Sequence, residues 1–568
     1  MRYHILASDY DGTLATHGKL QEETRAALER VRASGRKVVM VTGRQVDDLI
    51  STCPDLSPFE VVVAENGAVL YWPATKEQRV LAEPPPAAFV DRLRAQGVND
   101  IALGAVIVAT WHPHETTALE AIRELGLELQ VIFNKGAVMI LPSGVNKATG
   151  LAHALAVLGF SPHETVGVGD AENDHAFLNL CECAVAVENA LPTLKDRADL
   201  VTRGARGAGV EELIERLLAN DLMDMAPALG RHDIPIGHDA NEVQEMLPAY
   251  GSTFLVAGTS GGGKSTLITA FVEQLNERGY QFCIIDPEGD YGTLPGAAVV
   301  GDRQSAPTVN EVLKLLEQPK PSLVVNLVSM GIENRPAFFE SLMPQLIALK
   351  QRMARPHFVI VDETHHLAPR DAAPRAGNAS DWVNTVFVTV HPKHVAPSLL
   401  QRVDVMIAIG QAPAETIGEF AQAVDEAPPD VNQDPLASGE AIVWRRRQGK
   451  ASRITTITPV TERKRHIRKY ATGDLDDHSF FFRGPEQKMN LKAQNLTLFM
   501  QLGDGVDDET WLYHLESGDY SDWMRTCIKD DELAEEVSSV EKRAERITPA
   551  ESRAAVREAI ERRYTAPE

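Results

Sequence analysis

The 568-residue chain is short of cysteine, of positive charge and of long apolar runs, and each shortage removes a class of protein. Its 5 cysteines, Cys53, Cys181, Cys183, Cys283 and Cys527, are odd in number and widely scattered, which argues against a disulfide framework and for a reducing compartment. Cys181 and Cys183 lack the second pair that a structural zinc site needs, so they read as strand or loop residues. Lys and Arg total 56 against 80 Asp and Glu, a net charge of −24. That balance argues against a protein that coats nucleic acid non-specifically, because phosphate binding needs clustered cations. No apolar run is long enough to span a bilayer, and no charged n-region with an apolar h-region precedes the first strand. A cytoplasmic protein without a membrane partner is the expectation. Low-complexity tracts are also lacking, and the length exceeds one core, which predicts about three or four domains.

What is present begins at the first strand. Residues 3–7 (Tyr-His-Ile-Leu-Ala) read as a buried strand that ends in Ser8-Asp9-Tyr10-Asp11-Gly12-Thr13. The strand period of two places Asp9 and Asp11 on one side, and Gly12 lets the chain turn away. Two crowded carboxylates repel unless a divalent cation or a transferring phosphoryl group lies between them, which points to Mg2+ chemistry. Three further strand or helix ends carry complementary groups. Residues 37–41 run into Thr42-Gly43-Arg44, a hydroxyl and backbone pair suited to phosphate. Lys147 opens a helix predicted to Leu158, and a cation beside a helix N-terminus is a strong phosphate site. Residues 165–174 give a strand, a glycine turn, and then Asp170, Asn173 and Asp174. Arg44, Glu65 and Asn66 are candidates to face a leaving group, with local turn capping as the competing reading.

The order D-x-D-G-T, T-G-R, Lys, G-D-x-x-N-D resembles the haloacid dehalogenase-like (HAD) phosphatase superfamily over about residues 1–218. The resemblance implies a Rossmann-like core, with Asp9 as nucleophile forming an aspartyl-phosphate and Asp11 as general acid and base. It also implies that Thr42 and Lys147 hold phosphoryl oxygens, while Asp9, the Asp11 carbonyl and Asp170 bind Mg2+. Asn173 and Asp174 complete or orient that metal and Lys147. A carboxylate attacks a phosphate dianion only once the repelling charge is neutralised, which agrees with this assignment. The long stretch before Lys147 looks like the α/β cap of the Cof-type branch, at about residues 84–140. Residues 105–147 are similar to archaeal-type phosphoglycolate phosphatases and sugar-phosphate relatives, so a small phosphorylated metabolite is the expected substrate. His112 and His114 read as solvated turn residues.

A second phosphate motif follows a stretch, 221–245, expected to be a linker. Residues 253–257 read as a strand and lead into Gly258-Thr259-Ser260-Gly261-Gly262-Gly263-Lys264-Ser265-Thr266 and a helix. This is the P-loop pattern in its strand–loop–helix context, with Gly258, Gly261, Gly263, Lys264, Ser265 and Thr266 as the ATP-binding set and Ser265 on Mg2+. Its partner is an apolar strand ending in Asp362, for Mg2+, and Glu363, to polarise the attacking water. Asp362-Glu363-Thr364-His365-His366 lacks the H-E-x-x-H spacing of a zinc protease. The segment 283–291 and the D-E-T-H-H stretch resemble the HerA/FtsK group of RecA-like P-loop ATPases over about residues 232–460. That resemblance implies a homo-oligomer, hexameric in the group. One departure is Thr389-Val390-His391-Pro392, where the group carries a glutamine that senses the γ-phosphate. Arg402 is a candidate for an arginine acting across a subunit interface.

Basic runs occur at Arg445-Arg446-Arg447 and from Arg463 to Lys469, and usually such runs are solvated. From Leu491 the apolar spacing suits a helix face, and Thr548-Pro549-Ala550-Glu551 reads as a capping box opening a helix to about Arg563. The expected organisation is therefore α/β: a HAD core with cap at 1–220, a linker at 221–245, a P-loop ATPase at 246–460, and a small helical interaction domain at 461–568. The leading functional reading is a Mg2+-dependent phosphomonoesterase coupled to an ATPase that assembles or regulates it. The alternative is a HerA-like DNA translocase with an end-processing phosphatase; charge, the missing glutamine and the cap make DNA the less favoured partner.

Overall fold

The computed structural model describes residues 1–134, 136–259, 261–371, 382–431, 434–460, 470, 475, 479–528 and 530–564. Ser260 of the P-loop pattern, the basic run Arg463–Lys469 and Lys529 lie outside the described residues.

Near-continuous Val, Ile and Ala runs form the centre of the N-terminal sheet, as expected for parallel strands covered on both faces. Its order is Leu200–Val201, Cys183–Ala186, Thr165–Gly169, Ile5–Asp9, Lys37–Val41, Val61–Ala64, Val69–Trp72 and Glu77–Val80, with only the last two antiparallel to their neighbours. Register aligns Asp9 with Val41 and Ser8 with Val168. Thr42 and Asp170 therefore emerge beside Asp9 at one end of the sheet, where ligands bind in open α/β folds. The helix Lys147–Leu158 begins on Asn146, whose side chain accepts from the Ala148 and Thr149 amides, and it stops at Gly159 in the left-handed region. Such an N-cap contributes about 1 kcal/mol. A separate antiparallel sheet, Leu129–Asn134, Ala137–Pro142, Val108–Trp111 and Ala102–Leu103, packs with helices Ala87–Ala95 and Glu115–Glu124 around Phe89, Leu93 and Ile140.

The central sheet has 11 strands, and its parallel heart runs Val405–Ile409, Phe254–Gly258, Thr385–Thr389, Phe358–Val361, Phe282–Asp286, Ser322–Asn326 and Ala297–Val300. Strands Glu440–Arg445 and Lys450–Thr456 continue it antiparallel. The stretch expected to be a linker differs here: Ile234–His238 and Gln244–Leu247 are strands at the sheet edge. They are short, and a register shift between Pro235 and Gly237 breaks the alternation, so their periodicity is too weak to read. The N-terminal and central sheets fall in one compact unit, Met1–Ser265 with Gln274–Ile457.

The second unit comprises Thr266–Glu273 and Thr458–Glu568. Its core gathers Phe480, Phe482, Phe499, Trp511, Tyr520 and Trp523, with the Trp511 indole donating to Ser552 Oγ at 2.9 Å. Leu491 lies on the strand Leu491–Ala493 rather than on a helix face; the helix starts at Leu496, capped by Asn495. A two-strand hairpin absorbs the first apolar residue because Phe480–Phe482 pairs with it. Thr548 and Glu551 make the reciprocal capping bonds ahead of the helix Pro549–Tyr564. Among the described residues no helix is long and apolar enough to cross a membrane.

Candidate active sites

The first centre is built around an enclosed ammonium. Lys147 Nζ donates to Asp9 Oδ1 and to Asp174 Oδ1, each at 2.6 Å, and all three side chains are buried. Burial opposes the Lys147 charge, but Asp174 and Asp9 outweigh it and hold the ammonium above its ordinary value. Asp174 Oδ2 accepts from the Asp170 and Ala171 amides at 2.8 and 2.9 Å, so both of its oxygens are engaged. Carboxylate oxygens of Asp9, Asp170 and Asp174 lie within 4.8 Å of one another. Burial and then the Asp174 charge push Asp9 up to about 7, against Lys147. Asp9 Oδ2 is buried with no hydrogen-bond partner. Three carboxylates gathered so closely suit a divalent cation, and the donor set fits a hard, oxygen-seeking ion.

Around this core the other expected residues take distinct places. Thr42, buried, sits at the adjacent strand end, and its Oγ1 accepts from the Arg44 amide at 3.1 Å. Arg44 grips Asp11 with two bonds, Nε to Oδ2 at 2.7 Å and Nη2 to Oδ1 at 2.8 Å, and also reaches Asp48. Asn66 and Asn173 meet side chain to side chain at 3.0 Å, leaving Asn66 Nδ2 buried without a partner. Glu65 does not face a leaving group. Its carboxylate accepts from the Ala105, Val106 and Ile107 amides at 2.8, 2.8 and 2.9 Å, tying the small antiparallel sheet to the loop that follows Val61–Ala64. A Cβ on Gly104 would lie 2.6 Å from that carboxylate, so only glycine leaves room for the clamp.

The second centre lies at the matching end of the central sheet. Gly261 and Gly263 take φ of +73° and +100°, conformations that let the loop amides turn inward before the helix Lys264–Glu277. Lys264 Nζ donates to the Gly258 and Thr259 carbonyls at 3.0 and 3.2 Å. Asp362 is pushed up to about 7, by burial first and the neighbouring acids after it. Glu363 has the left-handed φ of +40°, a strained position for a non-glycine residue and one common at working sites. His365 Nδ1 lies 3.3 Å from Glu363 Oε2 and 3.2 Å from Thr389 Oγ1. Thr389, at the strand end that lacks the glutamine, thus contacts His365, while Glu363 Oε2 is buried with no hydrogen-bond partner. Asp286 accepts from the Gly289, Asp290 and Tyr291 amides and shapes the loop beside this centre.

A haloacid dehalogenase-like hydrolase model matches residues 6–93 and 105–214, and the model for the central domain of helicase HerA matches 247–352. Phosphoglycolate phosphatase of Methanothermobacter thermautotrophicus is 31% identical over 222 residues, covering 38% of this chain and 98% of the relative. That of Haloarcula marismortui is 32% identical, covering 37% and 95%. Phosphoglycolate phosphatase 2 of Saccharolobus solfataricus is 27% identical, covering 38% and 93%.

The chain is a HAD phosphatase fused to a HerA-like ATPase.

Two further side chains brace the phosphatase centre, Thr13 of the first motif and Asn189, which lies in none. Thr13 Oγ1 donates to Asp170 Oδ1 at 3.2 Å, and Asn189 Nδ2 donates to the Gly12 carbonyl at 2.9 Å. Glu65→Gln keeps the shape of the cap clamp but removes its charge and one acceptor oxygen. Charged hydrogen bonds are worth roughly 1.5–3 kcal/mol. Faster amide exchange at residues 105–107 and a severalfold higher KM are expected, read by hydrogen-exchange mass spectrometry and steady-state kinetics.

A third cluster joins the two modules. Glu182 Oε2 accepts from His163 Nδ1 at 2.7 Å and from the Tyr280 hydroxyl at 3.0 Å, while Oε1 takes the Arg2 guanidinium at 2.6 Å. His163 Nε2 faces the Arg278 carbonyl at 2.8 Å, and its ring stacks on Tyr280 with centroids 3.6 Å apart. Close by, Arg355 and Glu164 pair at 2.9 Å, both fully enclosed. His163, Glu182 and His232 have the chemistry of a metal set. Their ring nitrogens already meet protein groups: His163 Nε2 faces the Arg278 carbonyl and His232 Nε2 the Cys181 carbonyl. The cluster is an ionic junction between the modules.

The arginine run at 445–447 is neutralised in place: Arg445 pairs with Glu245, Arg446 with Glu426 and Arg447 with Asp404. It offers no uncompensated basic surface to a nucleic acid.

Proposed function

We propose that the chain hydrolyses a small phosphomonoester at the Asp9 centre and that the ATPase module governs this activity. The observation that carries the reading is the bare Asp9 Oδ2 beside Lys147, itself held at 2.6 Å by Asp9 and Asp174. A Mg2+ ion held by Asp9, the Asp11 carbonyl and Asp170 would supply charge neutralisation for the attack. Asp9 Oδ2 attacks phosphorus and forms the aspartyl-phosphate as the leaving oxygen departs. Lys147 and Thr42 hold the phosphoryl oxygens, and Asp174 orients Lys147. Asp11, once the Arg44 grip opens, gives its proton to the leaving oxygen and later takes one from the attacking water. Asn66 Nδ2, buried and unpartnered, is placed to hold a polar group of the substrate beneath the cap. The substrate class is a small phosphorylated metabolite such as phosphoglycolate or a sugar phosphate, in keeping with the names of the relatives.

In the ATPase module Lys264 would reach the β and γ phosphates of ATP, Ser265 and Asp362 would hold a second Mg2+ that neutralises phosphate charge, and Glu363 would polarise the water. An oligomeric assembly follows the HerA-like character of this module. A panel of phosphometabolites, assayed with and without ATP and with EDTA, tests the whole reading. Turnover of one metabolite, its loss on chelation and a change in rate with ATP are expected; a flat response to every member would refute it. Glu363→Gln should stop ATP hydrolysis by on the order of 10²–10³-fold while ATP binding persists. Radiolabelled nucleotide binding beside a phosphate-release assay separates the two effects.

A further inference from the structure

A cavity of about 900 Å³ opens at the end of the central sheet opposite the P-loop. Thr253, Val383 and Asp404 line it, and each precedes a parallel strand: Phe254–Gly258, Thr385–Thr389 and Val405–Ile409 respectively. Arg2 and Asp221 of the phosphatase module form part of the same wall. Catalytic sites of open α/β sheets sit at the carboxyl ends of the strands, so this cavity belongs to neither phosphate centre. Its volume lies at the upper end of the range for small-molecule sites.

The charges around it are mostly spent. Arg2 is bound by Glu182, Asp221 by Arg36, Arg446 by Glu426, and Arg447 by Asp404. Lys350, on the same wall, differs from these four. It lies in the last turn of the helix Arg335–Met353, half-buried, and its ammonium donates to the Val383 carbonyl. Among the described residues no carboxylate pairs with it. One carbonyl satisfies one of three ammonium hydrogens. Enclosure pushes the amine down to about 7, a cost that an anion at its side would reverse. The remaining wall mixes the polar Gln351, Gln401 and Arg402 with Ile347, Val403 and the Tyr250 ring, over which the Arg2 guanidinium lies at 4.1 Å.

We propose that this cavity binds a small organic anion, a phosphorylated or carboxylated metabolite up to nucleotide size, whose charged oxygens pair with Lys350. A ligand there touches both modules without entering either catalytic centre, which suits an effector.

The full chain is tested with AMP, citrate and neutral adenosine as probes. An amine-reactive acetylating reagent at pH 7.5 should modify Lys350 in the free protein. Saturating AMP or citrate should protect it at least about fivefold, while adenosine should not. Protection by one anion alone assigns the phosphate or the carboxylate class. By calorimetric titration the protective anion should bind at least about tenfold more weakly to Lys350→Met and with near-native affinity to Lys350→Arg. Unchanged acetylation with every probe, or equal affinity in Lys350→Met, overturns the proposal. The acetylation arm uses the native chain and decides the matter even if Lys350→Met does not fold.

Discussion

Asp9→Asn is expected to lower phosphatase kcat/KM by on the order of 10⁴-fold or more, while ATP hydrolysis stays within about twofold of native. The amide is isosteric with the carboxylate, so the packing of the buried turn is kept. What disappears is the oxygen that attacks. Asp9 Oδ2 is the only buried oxygen among Asp9, Asp170 and Asp174 found without a hydrogen-bond partner, and an amide nitrogen there cannot form the phosphoenzyme. Lys147 retains Asp174 at 2.6 Å, which keeps the ammonium in place and limits any structural loss. Steady-state assays of phosphate release, run separately on a phosphomonoester and on ATP, check the result. Loss of both activities together would count against two separate centres.

Glu182→Ala is expected to have the largest effect on stability. Its carboxylate, 2% exposed, is the shared acceptor for Arg2, His163 and Tyr280. Truncation leaves a buried guanidinium and an imidazole without their counter-charge, a change that costs roughly 3–5 kcal/mol when one partner of a buried pair is removed. Denaturant unfolding of the full chain measures it. Glu182→Gln, which keeps the shape and an acceptor oxygen, should lose less. The pH dependence has a fixed sign. Burial alone would raise the Glu182 carboxyl, but the His163 hydrogen bond and Arg2 prevail and hold it well below its ordinary 4.5. A carboxyl depressed by folding gives its full stabilisation above the unfolded value and loses it as pH falls below that value. The stability gap between native protein and Glu182→Gln should therefore narrow below about pH 4.5.

Both phosphate centres were legible because their parts stand at the ends of buried apolar strands, where a break from Val and Ile to Asp, Thr or Gly is conspicuous. Asp9, Thr42 and Asp170 stand in this way and strand register brings them together, whereas Lys147 opens the helix Lys147–Leu158 and meets Asp9 from there. The residues that escaped notice act across distance. Glu65 reads as either a substrate contact or a turn cap because nothing in its own neighbourhood shows that amides forty residues onward fold onto its carboxylate. Glu182, between two cysteines, reads as one more strand residue; its partner Arg2 lies 180 positions away. Short strands near the sheet edge such as Ile234–His238 were invisible for a different reason. They owe their form to a neighbour already in place, Lys450–Thr456, rather than to alternation of their own.

The junction of Glu182, His163 and Arg355 has a consequence for dosage. Two enzymes made as separate chains can be produced in any ratio, and their encounter depends on concentration. Here a continuous backbone and an enclosed ionic contact set the ratio at one phosphatase centre for each nucleotide centre, whatever the level of expression. Any regulation of one by the other within a chain then needs no encounter between a separate phosphatase and a separate ATPase.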